Sequence, residues 1–254
     1  MYFLLLRLLP WVSGVGMVLA LFFQWRDPLI YPWPLVGGIL LFLVSATMLL
    51  WQRVSIPGFL ERIVPPLMLL IAVTLALLMA ETPLQHLLLS IVPVVTVTIS
   101  LEMIFYFLFD SKRYPVNALS HLALASVPLT AYGLAVGLTG LGVFVGLPAW
   151  INFFVFGIYG LIAYWTTEHP VADVASCRRW RLIGIVIGLQ VALFTKLLPL
   201  EVWTQGLLAA FLFAAPLRIR RYAFPPSPTA RMAVFEVVCA VLFFGTLLLT
   251  ARWA

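Results

Sequence analysis

The chain has 254 residues, of which 64% are hydrophobic and only 9% charged, with fifteen Lys and Arg against nine Asp and Glu and a formal net charge of +6. A water-soluble domain carries about 25% charged residues, so this composition excludes an ordinary soluble fold and places most of the side-chain surface against lipid. The same composition turns the basic excess away from nucleic acid and toward anionic lipid headgroups at a membrane face.

Nine apolar segments follow one another along the chain, at roughly 3–23, 30–51, 63–80, 86–109, 117–138, 141–164, 182–200, 202–217 and 232–251. Most approach the ~20 residues needed to cross ~30 Å of hydrocarbon as a helix. The expected fold class is therefore an all-α, polytopic transmembrane helix bundle. It forms one integral membrane domain over residues 1–254. The third and eighth segments are short, and the division between the fifth and sixth falls in the glycine-rich run from Gly137 to Gly142. Merging or demoting one of these gives an eight-span alternative. Arg7 interrupts the first segment and no small-x-small site precedes Gln24, which argues against a cleaved signal.

Basic residues alternate from gap to gap. Arg7, Arg53, Arg62, Lys112, Arg113, Arg178, Arg179, Arg181, Arg218, Arg220, Arg221 and Arg231 fall on one side, and Arg26, Lys196 and Arg252 on the other. Cytoplasmic loops hold the excess of Lys and Arg, so the amino terminus is expected in the cytoplasm and the carboxyl terminus outside. A missing span would break this alternation. Trp25, Tyr31, Trp33, Trp51, Tyr114, Trp165, Trp180, Trp203, Tyr222 and Trp253 stand near segment ends, the depth that amphipathic rings prefer. The arginine bias and short loops fit a bacterial inner membrane. Lys112, Arg113, Arg178, Arg179, Arg181, Arg218, Arg220 and Arg221 are the headgroup-binding candidates, with unspecific snorkelling the plainer account.

Phe107-Leu108-Phe109 before Lys112-Arg113-Tyr114 resembles Phe211-Leu212-Phe213 before Arg220-Arg221-Tyr222. A weak parallel repeat of 30–138 and 141–251 would follow, although such matches are cheap in a chain this rich in Phe and Arg. Gly142 and Gly146 in span six, and Gly184 and Gly188 in span seven, form small-xxx-small pairs that allow close helix approach. Pro10, Pro34, Pro93, Pro128 and Pro148 are expected inside spans, where they kink helices.

Charges within spans are the sharpest pointers, since one at the bilayer centre costs about 2.5–3.5 kcal/mol. Glu102 lies about 10 Å inside the end of span four at 1.5 Å per residue. Thr98 and Tyr106 share its face. Arg7 and Glu236 lie at similar depth, so a cluster of Arg7, Glu102 and Glu236 is allowed. It could serve a proton- or cation-linked site or grip a headgroup; a structural ion pair tying helices together is the preferred reading. Asn152, expected mid-span, is an interhelical hydrogen bonder. Lys196 near Glu201 snorkels rather than forming a Schiff base. Cys239 is read as a small buried hydrophobe and forms no framework with Cys177.

Glu168, His169, Asp173 and Cys177 carry metal-ligating groups, but no second histidine stands near and Pro170 breaks any common face. No metal and no cofactor is therefore expected. HExxH, GxSxG, DxxxD and phosphate-loop patterns are missing. Three functions stay open: a structural or accessory component of a membrane assembly, a small transporter of a lipid or hydrophobic solute, and a lipid-modifying enzyme using Glu102. The first is preferred. Its expected partners are membrane lipids and proteins within the bilayer, with no nucleic acid.

Overall fold

A computed structural model describes residues 2–51, 53–115, 117–167, 174–222 and 229–250. Among the described residues the chain is all-helical, with nine helices long and apolar enough to cross a membrane. They are α1 (Tyr2–Arg26), α2 (Trp33–Leu50), α3 (Ile56–Leu77), α4 (Pro83–Phe109), α5 (Ala118–Phe144), α6 (Ala149–Thr166), α7 (Val174–Leu197), α8 (Val202–Tyr222) and α9 (Ala230–Thr250). Lipid offers backbone groups no hydrogen-bond partner, so a chain this apolar satisfies its amides within each helix. The protein is a multi-pass membrane protein.

Helix starts follow local chemistry. Thr82 caps α4 by accepting from the Gln85 amide while the Gln85 side chain accepts from the Thr82 amide, a reciprocal arrangement that satisfies two orphan donors. Prolines open α2, α3 and α4 within their first two positions, where a missing N–H costs nothing. Pro34 is thus a start signal for α2, and Pro148 is the N-cap of α6. Neither lies inside a span as expected. Pro10, Pro93 and Pro128 do, together with Pro65, Pro66 and Pro216.

The chain divides into two compact units, Met1–Ser126 and Val127–Ala254. In the first, α1 packs on α2 and α4, and α3 packs on α4 and α2. Gly14 lets α1 approach α4 so closely that a Cβ there would overlap the Thr98 hydroxyl. The Ser13 hydroxyl donates to Ser45 of α2 at 2.8 Å, with both residues buried. The core includes Leu6, Met17, Phe42, Leu70, Leu101 and Phe105.

In the second unit α6 and α7 form a hairpin that closes on glycine. A Cβ on Gly160 would fall on the Gly184 carbonyl, and one on Gly188 on the Phe156 carbonyl. Gly184 and Gly188 therefore act as the sequence indicates, but their partners are Gly160 and Phe156–Gly157 of α6. Gly142 and Gly146 play no such part. Helix α5 runs through the glycine-rich stretch to Phe144, so Gly142 belongs to α5; Gly146, at φ +71°, makes the turn that follows. Only glycine takes that conformation without strain. Helices α3, α7 and α8 also run beyond their apolar stretches, because a helix continues through polar residues once it leaves hydrocarbon.

Helix α9 packs on α8, where Phe211 stacks with Phe243 and Phe244 at 5.6 and 5.7 Å. It is the least enclosed span, with 6% of its apolar window buried against 61% for α5. Cys239 is exposed on it, which corrects the expectation of a buried thiol.

Candidate functional site

Among the described residues of the first unit, Arg7, Glu102 and Tyr106 form a polar site between two antiparallel helices, α1 and α4. With Gly14 against Thr98, the register brings residue 7 of α1 level with residues 102–106 of α4. Arg7 Nη1 stands 2.8 Å from Glu102 Oε1, and Arg7 Nη2 donates to the Tyr106 hydroxyl at 3.0 Å. The guanidinium also lies 5.0 Å from the Phe105 ring centre and 4.9 Å from that of Tyr106. Charge and quadrupole thus both act on one cation. Glu102 keeps only 15% of its side-chain surface, and its Oε2 is buried without a hydrogen-bond donor. Thr98 shares the helix but not the chemistry, because its hydroxyl donates to the Val94 carbonyl and it packs on Gly14.

Glu236 belongs to the second unit. There Arg218 donates two hydrogen bonds to Oε1, and Tyr222 donates to Oε2 at 2.6 Å. Each of the two acids expected to cluster thus has a basic partner inside its own unit, Arg7 for Glu102 and Arg218 for Glu236. Arg218 is paired with Glu236 while its side chain stays exposed.

Arg220, unlike Arg218, is buried. It is 3% exposed, donates to the Tyr164 carbonyl at 3.3 Å and lies 5.6 Å from the Trp180 ring. Trp180 in turn stacks on Tyr164 at 6.3 Å. Lys112, Arg178 and Arg179 are exposed, Arg181 is half-buried, and Arg113 pairs with Asp110 at 3.3 Å. Arg221 lies in the last turn of α8. Only some of the eight headgroup candidates therefore present charge outward.

Asn152 lies in the first turn of α6 rather than mid-span, since α6 starts at Ala149. It is 1% exposed and its Oδ1 has no hydrogen-bond partner. The glycine register of α6 on α7 sets it level with Ala192, one turn beyond Phe156 and Gly188. Near the same end of this unit, the Thr139 hydroxyl donates to Gln205 Oε1 at 2.8 Å, and Gln205 Nε2 donates to the Leu198 and Leu200 carbonyls at 3.2 and 3.0 Å. Lys196 is exposed and reaches over Gly142.

Glu168, His169 and Asp173 of the mixed loop lie outside the described residues, as do Arg252 and Trp253. Among the described residues no three His, Cys, Asp or Glu side chains converge in a way that could hold a metal ion.

Arg53 and Arg62 were not singled out by sequence. Arg53 sits 4.4 Å over the Phe109 ring and Arg62 4.4 Å over that of Phe107. No short-range sequence signal marks these pairs, which depend on how α2, α3 and α4 come together. No protein-family model, curated protein or solved structure matches this chain.

Proposed function

We propose that this chain is a non-catalytic, structural or accessory component of a membrane assembly, with its amino terminus in the cytoplasm and its carboxyl terminus outside, in a bacterial inner membrane. The observation that carries the reading is the state of Glu102. Its charge is matched by Arg7 within a helix pair that closes to Gly14-on-Thr98 distance, so the deepest acid of the first unit serves as a tie. An intramembrane charge is kept where it is paired or where it works, and here the pairing accounts for it. The open flank of α9 supports the assembly part of the proposal, since a partner helix can lie along it without displacing any contact of the chain.

A charge exchange tests this. Arg7→Glu and Glu102→Arg singly are expected to lower the folded yield and melting temperature, and the double exchange to recover most of both. Recovery of the fold by exchange is the mark of a tie, because a tie is symmetric in its charges while a proton-carrying site is not.

The transporter reading and the lipid-modifying reading rest on one observation, the buried Glu102 Oε2 that lacks a donor. A carboxylate oxygen so placed can take a proton or a substrate hydroxyl. If Glu102→Gln keeps the wild-type melting temperature but abolishes ion-coupled uptake in proteoliposomes, transport replaces the structural reading. A precursor lipid accumulating in cells that carry Glu102→Gln favours the enzyme.

A further inference from the structure

Helix α7 carries a polar group where hydrocarbon offers it nothing. Gln190 lies about 12 Å beyond Leu182 and about 10 Å before Leu197, which bound the apolar part of that helix. Its side chain is exposed, and among the described residues none hydrogen-bonds to its amide. The face of α7 against α6 is closed by Gly184 and Gly188; at 3.6 residues per turn Gln190 stands about 160° round the helix from Gly188. Acyl chains have neither donor nor acceptor, and the headgroups are too distant for a glutamine side chain to reach. The amide therefore stays costly until a protein group meets it.

The residues around Gln190 describe the surface that meets the partner. Ile183, Val186, Leu193 and Leu197 are all exposed, and with Gln190 they recur at alternating spacings of three and four residues. That spacing is the seam of a left-handed helix pair, in which each residue of a parallel dimer faces its own counterpart. Ile183, Gln190 and Leu197 take the a positions of the seam, and Val186 and Leu193 the d positions. A single polar residue at an a position sets register and the number of helices. Copies of one chain enter a bilayer in the same orientation, so a second copy brings its own Gln190 to the same depth. A carboxamide is complementary to itself, since each Nε2 can donate to the Oε1 of the other. Any other partner needs a polar group placed at that level.

We infer that α7 is a self-association surface, along which two copies of this chain pair in parallel through reciprocal Gln190 hydrogen bonds, flanked by Ile183, Val186, Leu193 and Leu197. This goes beyond the accessory-component reading and depends neither on Glu102 nor on the open flank of α9.

Full-length protein bearing donor or acceptor fluorophores on a terminal tag is reconstituted in phosphatidylcholine vesicles over a range of protein-to-lipid ratios, and energy transfer reads the associated fraction. The wild type is expected to associate, and to dissociate on dilution with lipid. Gln190→Leu keeps the apolar seam but removes the amide, so its apparent dissociation constant should rise about tenfold. Gln190→Asn keeps both amide groups on a shorter stem and should rise less. Val186→Cys or Leu193→Cys, in a chain carrying Cys177→Ser and Cys239→Ser, should form a disulfide-linked dimer under mild oxidation; this reads the same surface if Gln190→Leu does not fold. A wild type that is monomeric at every dilution, or association unchanged in Gln190→Leu, would overturn the inference. A cross-link through Val238→Cys on α9, with none through Val186→Cys or Leu193→Cys, would overturn it by moving the interface to α9.

Discussion

Substituting Gly188 by alanine adds one methyl group where the facing atom is a main-chain carbonyl. The ideal Cβ would overlap the Phe156 oxygen, with the carbonyl carbon at 2.7 Å and the Gly157 nitrogen at 3.2 Å. A flexible side chain could rotate away; a helical backbone cannot, so the hairpin must open by about an ångström to restore van der Waals separation. Overpacking of this kind costs about 1–3 kcal/mol, with contact on backbone placing it at the upper end. Alanine regains about 1 kcal/mol of helix propensity, leaving a net loss of about 2 kcal/mol. Gly245 of α9 provides the opposite case, because nothing lies within 4 Å of its Cβ position. Gly245→Ala should therefore gain up to about 1 kcal/mol. The two variants should differ by about 3 kcal/mol, more than a hundredfold in the unfolding constant. Unfolding in mixed micelles, followed by circular dichroism across a denaturing-detergent titration, measures both. If Gly188→Ala unfolds at the wild-type midpoint, main-chain contact between α6 and α7 is not what holds the hairpin.

Gln205→Leu should destabilise the second unit by about 2 kcal/mol, because Thr139 and two turn carbonyls lose their shared partner; the same titration reads it, and a loss below about 0.5 kcal/mol would show that water replaces the side chain. Tyr31, in the turn between α1 and α2, donates to the Thr74 carbonyl at 2.9 Å, and burial pushes its phenol up to about 12 from 10. The unfolded phenol ionises first as pH rises, so the stability tied to neutral Tyr31 is complete below pH 10 and is lost as the pH climbs toward 12. Tyr31→Phe should flatten that alkaline decline, and an unchanged slope would assign it to other groups. Engineered thiols at Lys112 and Arg179 should react with an impermeant reagent from the same side of the membrane, and one at Arg26 from the other; mixed labelling of the first two would refute the proposed orientation.

The number of helices was readable because lipid imposes it: each apolar stretch long enough to cross becomes one helix. Their limits were less readable, since hydropathy reports the lipid boundary and not the end of the hydrogen-bond ladder. Cys177–Arg181 and Arg218–Tyr222 are polar yet helical for this reason. The division of α5 from α6 was placed too early, at glycines that α5 buries without breaking. The true signal was Gly146 followed by Pro148, a residue free to take positive φ and then one that starts a helix. Arg7 and Glu102 were readable as partners because their depths match. The engagement of Glu236 by Arg218, and the seating of Arg53 and Arg62 on phenylalanines, were not. Those contacts depend on which helices are neighbours and which way each is rotated, and no local pattern encodes either.

The bond between Arg7 and Glu102 joins the opening helix to the fourth, and ribosomes make proteins in order. While the ninety-odd residues between them are being synthesised, the guanidinium has no opposite charge and is held toward the aqueous boundary. The first helix can therefore settle to its final depth only after the fourth has arrived, which makes its seating a late event of biogenesis. Nascent chains arrested before residue 102 should accordingly show position 7 more open to water-borne probes than chains arrested well beyond it.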